Sequence, residues 1–480
     1  MDTQGPASAC ERLVEAGLGP RLIYPHEDGY REKVTPHWSL TAQLTPYCVV
    51  QPHTTEELSH AVAILAKAEN CFFAVKSGGH CAWPGASNCE NGILIDLAKL
   101  NNVQYDAARN IVAVQAGCRW KDVYQAIEPH VVTVNGGRDA AVGVGGLLCG
   151  GGLSWLLPRY GFACDTVINY EVVLASGKVL NVNKNDNADL FIALKGGACN
   201  FGIVSRFDLE AFEGTKVWGG MRICNTDSTS PSIEHFVKYV DSVEEDLDTS
   251  YGIMWGWQPS FGANMLTFMM CNTKGVVNPP VLAKVLEIPA RVSTVQSRGV
   301  TDLALEMTPP FSYHNKWLSA TFKNDAGILE KAVELHAECV DKLRAQIPAN
   351  GFSTMCFAQA LPTLYAKRSQ ERGGNVLGVD RLGGNCITFL AAVHIKDKEH
   401  EEFGFRVLQE WYDSLIGYAK HTEVSCWEDW LYLNYADKSQ NPLRAYGEDN
   451  VNKIRAEALK YDPDGVFQTK CPGGFKITKT

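Results

Sequence analysis

The sequence predicts an α+β fold in two domains, and three features predict it. Up to about residue 213, short β-type runs, single amphipathic helices and glycine-dense turns alternate. Beyond that point glycine thins, and long amphipathic helices alternate with strand runs. The chain has 480 residues, 45% of them apolar and 20% charged, an ordinary globular mix that fits two or three domains.

In chain order, residues 1–40 read as a helix from Ser8 to Ala16 and a loop. Cys48-Val49-Val50 is a short strand ended by Pro52. Thr54, with Glu57 three positions later, forms the pattern of a capping box. The helix behind it puts Leu58, Ala61, Val62 and Leu65 on one face. Phe72 to Val75, Ile93 to Leu97 and Ile111 to Val114 are strand-like, and Trp120 to Ile127 is a short helix. The densest glycine stretch runs from Gly136 to Gly161. Ala175-Ser176-Gly177-Lys178 is a hairpin turn between Tyr170–Leu174 and Val179–Val182. Asn187 to Lys195 is a helix stopped by Gly196, and Asn200 to Val204 leads into a strand. In the second half, helices are expected over Ile233–Asp248, Ile328–Ile347 and Lys398–Tyr418. Strands are expected over Tyr251–Trp257, Met265–Cys271, Ser353–Gln359 and Cys386–Val393, and a last helix over Asp449–Tyr461.

The formal charge of −10 argues against a nucleic-acid face, which needs excess Lys and Arg. No apolar run reaches membrane-spanning length; Val142 to Leu157 is broken by glycines. The start, MDTQGPASACERL, lacks a basic segment followed by an apolar one, so no signal peptide is expected and the site of action is expected to be cytoplasmic. The 16 cysteines are scattered with no CxxC pair, so they are expected to be reduced core residues, and no metal site is expected.

Chemistry gathers in the stretch AVKSGGHCAW, Ala74 to Trp83. A β-type run breaks into Ser77-Gly78-Gly79, where glycine leaves main-chain N–H groups bare for an anion such as a pyrophosphate. A dinucleotide fingerprint of the Rossmann type is not met: Gly143-Val144-Gly145 has Leu148 where its third glycine belongs. There is no GK[ST] phosphate loop, and Gly152-Leu153-Ser154-Trp155-Leu156 lacks the second glycine of a nucleophile elbow. The glycines therefore serve separate turns that converge on one long ligand. On that turn alone His80 is an ordinary turn residue. The further run of Gly136, Gly137, Gly143, Gly145, Gly146, Gly150, Gly151 and Gly152 costs chain entropy that close approach to a ligand offsets.

The succession VKSGGH, GILIDL, QAGC, VGVGG with GGG, RYG and CD, LASGKV, and NADLFIALKGG with NFGIV resembles the FAD-linked oxidases of the berberine-bridge-enzyme-like group, in the vanillyl-alcohol oxidase superfamily. The tail, YLNYAD followed by a helix and DPDGVF, is similar to that group's C-terminal signature. The resemblance implies a PCMH-type FAD-binding fold of two α/β subdomains. Residues 1–212 would form the FAD-binding domain, with its core at about 42–213. Residues 213–426 would be a substrate domain, an antiparallel sheet covered by helices, and 427–480 would return to the FAD domain. It implies FAD contacts from Val75, Lys76, Ser77, Gly78, Gly79, His80 and Cys81 in the first turn. It adds Gly117, Gly137, Val142, Gly143, Gly146, Gly150, Gly151, Leu153, Tyr160 and Gly161, then Gly202, Ile203 and Val204, and Asn434.

It further implies that His80 is joined covalently to the 8α-methyl carbon of the flavin. Some relatives add a bond from a cysteine at the position held here by Asp139, so a second, cysteinyl tether is not expected. Cys118 and Cys149 lie off that position. Val142 matches the small residue that admits oxygen. Tyr435 matches the tyrosine many relatives use as base, and Asn434 is expected to contact cofactor or substrate. The plainer alternative is that Tyr432 and Tyr435 pack on the flavin with Asn434 as a hydrogen-bond partner.

Alternating residues of the middle strands, Thr388, Leu390 and Ala392 or Phe357 and Gln359, are expected to wall the substrate. His394, Tyr313, His314 and Trp317 are further candidates, more often core or rim than catalytic. Asp380 and Arg381 are an ion pair expected at the surface.

The implied reaction is oxidation of a small organic substrate, an alcohol, amine or phenolic or polyketide intermediate of secondary metabolism. Molecular oxygen returns the flavin to its oxidised form and leaves hydrogen peroxide, in some cases with coupled cyclisation. A carbohydrate oxidase, a non-redox isomerase or cyclase holding FAD structurally, and a binding protein on a degenerate flavin fold are the rival readings. The expected partners are the substrate and oxygen, with no nucleic acid or membrane, in a monomer or homodimer.

Overall fold

Three β-sheets organise the chain. The computed structural model describes residues 4–34, 36–421 and 425–480. The first sheet has the strand order Leu22–Ile23, Cys48–Val50, Ile93–Asp96, Phe73–Lys76. Its last three strands run parallel. Parallel strands need cover on both faces and a crossover between neighbours. Accordingly Cys48–Val50 and Ile93–Ile95 are unbroken apolar runs, fully buried. The crossover helix, Thr55–Lys67, buries the expected Leu58, Ala61, Val62 and Leu65. Its capping box is half formed. Thr54 Oγ1 accepts from the N–H of Glu57 at 3.2 Å, but the Glu57 carboxylate turns to the N–H of His53 (2.7 Å) and to Arg21 (2.9 Å).

The second sheet is antiparallel, in the order Val103–Asp106, Ile111–Gln115, Ile203–Glu213, Val167–Val173, Val179–Asn183, with Val132–Val134 added to the long strand Ile203–Glu213. The hairpin around Gly177 forms where expected, with Gly177 at φ 85°.

The third sheet has nine antiparallel strands drawn from residues 216–428. Its middle is Thr249–Gln258, Phe352–Leu361, Cys386–Ile395 and His314–Lys323, hydrogen-bonded in that order. Three helices, Thr229–Ser242, Ala326–Arg344 and Glu401–His421, pack on it with Ile233, Phe236, Leu329, Val340, Leu408 and Trp411 among their buried residues. Two long strands here were not anticipated, Lys216–Cys224 and His314–Lys323, nor were the short ones Ala290–Ser293, Gln296–Gly299 and Trp427–Glu428. Of the two long ones, the first carries Gly219-Gly220, and the second (HNKWLSATFK) mixes polar with apolar residues on both faces, so neither shows a clean alternation. The helix expected over Ser8–Ala16 starts earlier, at Gln4–Leu13, and passes into a π turn in which Gly17 sits at φ 83°. The segment from Trp427 closes the structure in two places. Trp427–Glu428 pairs with His314–Lys323, and Phe73 N–H donates to the Lys470 carbonyl at 2.8 Å, beside the first sheet.

All sixteen cysteines are free thiols, twelve of them buried. Among the described residues no helix is long and apolar enough to cross a membrane, and no group of His, Cys, Asp and Glu is arranged to hold a metal ion.

Burial holds three histidines neutral. It pushes His336 from its ordinary 6.5 to about 3, His394 to about 4, and His37 to about 4, the last helped by the Lys76 charge. The unfolded chain binds more protons at these sites than the folded one below pH 6.5. Their contribution to stability is therefore complete above that value and is lost as pH falls toward 4. Each adds a slope of about 1.4 kcal/mol per pH unit across that window. His336→Gln should make denaturant midpoints fall less between pH 7 and pH 5 than those of the parent protein.

Candidate active site

Strand Phe73–Lys76 delivers the glycine turn, and a buried ion pair fixes its last residue. Lys76 Nζ lies 3.2 Å from Asp96 Oδ2, on the neighbouring strand at the same register, with both side chains sealed from solvent. Burial lowers the Lys76 pKa and Asp96 pulls it back up. Gln51 Nε2 donates to the same carboxylate oxygen at 3.2 Å. Beyond Lys76 the turn meets a second turn backbone to backbone. A Cβ on Gly78 would collide with the main-chain N of Gly143, and one on Gly143 with that of Gly78. Ser77 stitches the two turns. Its Oγ donates to the Ala116 carbonyl at 2.6 Å and accepts from the N–H of Gly145 at 3.2 Å.

The two turns open on a cavity of about 410 Å³ that runs between the glycine cradle and the third sheet. At its cradle end, the His80 ring stacks on Trp38 with centroids 4.6 Å apart and planes 7° from parallel. His80 Nε2 is 3.3 Å from Asp139 Oδ2, off line for a hydrogen bond and with no other partner. Asp139 Oδ1 accepts from the N–H of Ala141 (2.8 Å) and from Thr308 Oγ1 (2.7 Å).

At the sheet end three chain segments converge on one phenol. Arg138 Nη2 donates to Tyr435 Oη at 3.0 Å, and Gln359 Nε2 donates to it at 3.2 Å. Among the described residues no carboxylate lies within ion-pairing distance of the Arg138 guanidinium, which also rests over the Trp155 ring, 5.4 Å from its centroid. The Trp317 ring meets Tyr435 edge-on at 5.5 Å. Tyr432 Oη, by contrast, is sealed in. It accepts from the N–H of Leu153 (2.9 Å) and from Asn434 Nδ2 (3.1 Å), and burial raises its pKa further. Asn434 Nδ2 also donates to the Leu147 carbonyl at 3.1 Å, in the space that a side chain on Gly150 would fill. Met269, Met307, Met355, Phe357, Leu390 and Trp317 form most of the remaining wall. Buried polar atoms without partners, Gln359 Oε1 and Thr388 Oγ1, belong to the two strands that supply this wall.

Of the residues singled out from the sequence, Val75, Ser77, Gly78, Gly79, His80, Cys81, Val142, Gly143, Gly146, Leu153, Gly202, Ile203, Val204, Asn434 and Tyr435 line this cavity. Seven do not, and each has a packing reason. Lys76 is held by Asp96. Gly117 makes room for the Leu97 carbonyl, Gly137 for the Trp120 ring, Gly150 for Asn434, Gly151 for Leu377, and Gly161 for the Asp165 carboxylate. Tyr160 stacks on Phe212 at 3.9 Å, in a separate and smaller cavity.

Of the expected substrate wall, Phe357, Leu390 and Trp317 face the cavity, and Gln359 reaches it through Tyr435. Thr388 and Ala392 do not line it. His394 is a core residue paired with Asn315 at 2.6 Å, and His314 is held by Glu401 at 3.2 Å. Arg381 pairs with Asp429 rather than Asp380. Arg138, Trp38, Trp83 and the segment Gly473–Phe475 line or flank the cavity without having been anticipated. Arg138 stands inside the glycine-dense stretch from Gly136 to Gly161, and its charge in a glycine-rich turn was the available signal.

A model of the FAD binding domain matches residues 46–183. The chain is 34% identical over 477 residues to the FAD-dependent monooxygenase drtC of Aspergillus calidoustus, covering 98% of this chain and 91% of that protein. Its fold superimposes on xylooligosaccharide oxidase from Myceliophthora thermophila with a TM-score of 0.77 at 20% identity, over 96% of this chain and 97% of that one. It superimposes on BBE-like 1 of Physcomitrella patens with a TM-score of 0.74 at 18% identity, over 95% and 97% of the two chains.

Gly150→Ala should expel the Asn434 amide from its seat. Such overpacking costs about 1–3 kcal/mol, and a fall in melting temperature on thermal unfolding is the measurement that checks it.

Proposed function

The chain belongs to the berberine-bridge-enzyme-like group of FAD-linked oxidoreductases, and on that footing we propose that it oxidises an apolar, aromatic or polyketide-like substrate bearing an ionisable hydroxyl, with oxygen as the final electron acceptor. The observation that carries this is the Tyr435 hydroxyl, held by Arg138 and Gln359 at the apolar end of the cavity. Arg138 has no carboxylate of its own among the described residues, so its charge is free to balance a phenolate on Tyr435 or on the substrate. A phenolate there takes a proton from the substrate hydroxyl or from the adjacent carbon. Gln359 Oε1, buried and unpartnered, offers an acceptor to a second substrate group.

The cradle fits FAD. Its touching glycine turns leave main chain bare along the cavity, and His80, in the cavity lining, has a buried ring nitrogen, Nε2, with no hydrogen-bond partner. Residues 77–81, 142–146, 202–204 and Asn434 would hold the cofactor, with His80 as its single covalent anchor. When bound, FAD accepts two electrons from the substrate and passes them to oxygen. We place the boundary between cofactor and substrate domains near residue 213.

The wall supports this substrate class over a sugar. Methionine and aromatic side chains adapt to flat apolar rings, whereas a saccharide needs many polar contacts. The names of relatives such as drtC favour a second reading, in which one oxygen atom enters the product.

Anaerobic mixing of the holoprotein with a panel of phenolic and polyketide alcohols should bleach the flavin. Admission of oxygen should release peroxide in step with product. An isotopically labelled oxygen atom in the product, without peroxide, would instead mark monooxygenation. If no panel member bleaches the flavin, the redox reading is overturned. Tyr435→Phe should lower turnover about 10²–10⁴-fold, the range for loss of a general base, while flavin content stays unchanged. His80→Ala should leave the flavin in the supernatant after acid precipitation, whereas the parent protein carries it into the pellet.

A further inference from the structure

We propose that Asp139 is the positioning residue for covalent attachment of the flavin to His80. The inference rests on the reading of His80 as the anchor and adds a residue to it. Asp139 lies in the cavity lining beside His80 and offers it a carboxylate.

The geometry points to its role. Trp38 holds the His80 ring by stacking on one face, and the N–H of Trp38 donates to the Gly79 carbonyl at 3.0 Å, locking the stack to the turn. Asp139 uses Oδ1 for two donors, Ala141 N–H and Thr308 Oγ1, and its free Oδ2 lies 3.3 Å from His80 Nε2, within ion-pairing reach though off line for a hydrogen bond. Nε2 is buried and has no hydrogen-bond partner, so the Asp139 carboxylate is the charged group at hand. A carboxylate beside one ring nitrogen sets the tautomer, placing the proton there and leaving the lone pair on the other. With the proton on Nε2, Nδ1 is the nitrogen left to form the bond, on a residue that lines the cavity.

In the attachment step a bond forms between Nδ1 and the methyl carbon, and one C–H bond of that methyl group breaks. Its proton leaves, and its electron pair stays in the ring system. As Nδ1 takes up carbon, the Nε2 proton passes to Asp139 Oδ2. Molecular oxygen then removes the electron pair and, with two protons, becomes hydrogen peroxide. Imidazole, methyl group and oxygen thus give the tethered ring and one peroxide, with atoms and electrons balanced.

The test is flavin retention rather than turnover. The parent protein and the Asp139→Ala, Asp139→Asn and Asp139→Glu variants are purified with FAD. Total flavin is measured by absorbance, and tethered flavin by in-gel fluorescence after denaturation. A time course after adding FAD to protein produced under flavin limitation gives the rate of attachment. Asp139→Ala should bind FAD at the parent stoichiometry yet attach it about tenfold or more slowly, the scale on which an unsupported histidine loses function. Asp139→Glu should recover part of the rate. Asp139→Asn, which accepts a hydrogen bond but not a proton, should fall between Ala and Glu.

Equal attachment in parent and Asp139→Ala overturns the proposal while leaving His80 as the anchor. Flavin that washes out of the denatured parent protein overturns the anchor itself, and this proposal with it. If Asp139→Ala binds no FAD, the Asn and Glu variants decide: equal rates in both count against a proton-accepting carboxylate.

Discussion

The site depends on one close approach, the backbone contact between Gly78 and Gly143. Neither position tolerates a Cβ, because each would drive into the other's main chain. That contact brings the turn after strand Phe73–Lys76 against the turn before helix Val144–Cys149. His80 belongs to the first turn and Asp139 to the approach of the second, and their meeting follows from it. The buried Lys76–Asp96 pair holds the first turn at its root. Removing either partner would leave an uncompensated charge in the sheet, at a cost of about 3–5 kcal/mol. Alignment of the cavity thus rests on small residues on one side and a matched charge on the other.

The sheet end is governed by a different constraint. Arg138, Gln359 and Tyr435 are contributed by a glycine turn, a central strand of the third sheet and the segment after Trp427. Arg138 and Tyr435 are 297 residues apart in sequence. A hydrogen bond of 3.0 Å between them asks that the third sheet and the glycine cradle share one frame. The bonds from Asn434 to Leu147 and from Leu153 to Tyr432 reinforce the same junction. Precision at the phenol is therefore distributed over four hydrogen bonds rather than owned by one loop.

How much of this was legible in the sequence follows from the kind of signal each part leaves. Strand Cys48–Val50 and helix Thr55–Lys67 announce themselves through apolar runs, helical spacing and a cap, all local. Glycines in ordered motifs, together with His80 and the YLNYAD tail, marked the cradle side of the cavity lining. Composition could not separate glycines that face a ligand from those that admit a neighbour. Gly137 yields to Trp120 and Gly151 to Leu377, contacts invisible along the chain. Strand His314–Lys323 escaped because it is buried on both faces while carrying polar residues, of which Ser319 is bonded to Gln440 and Tyr432 of the C-terminal segment. Trp38 escaped because its stretch has no periodicity, and its purpose is set by a ring some forty positions later. Arg138 was readable as a charge but not as a partner of Tyr435, since pairing at that separation is a property of the fold.

The junction at Tyr435 also orders events in time. A nascent chain exposes the glycine cradle first, the sheet second and the phenol last. Until Trp427–Glu428 docks on the edge of the third sheet, the cavity lacks both the Tyr435 hydroxyl and the Asn434 amide that joins cradle to tail. The complete set of cavity residues is thereby withheld from half-made polypeptide, and the site is assembled only with completed folding.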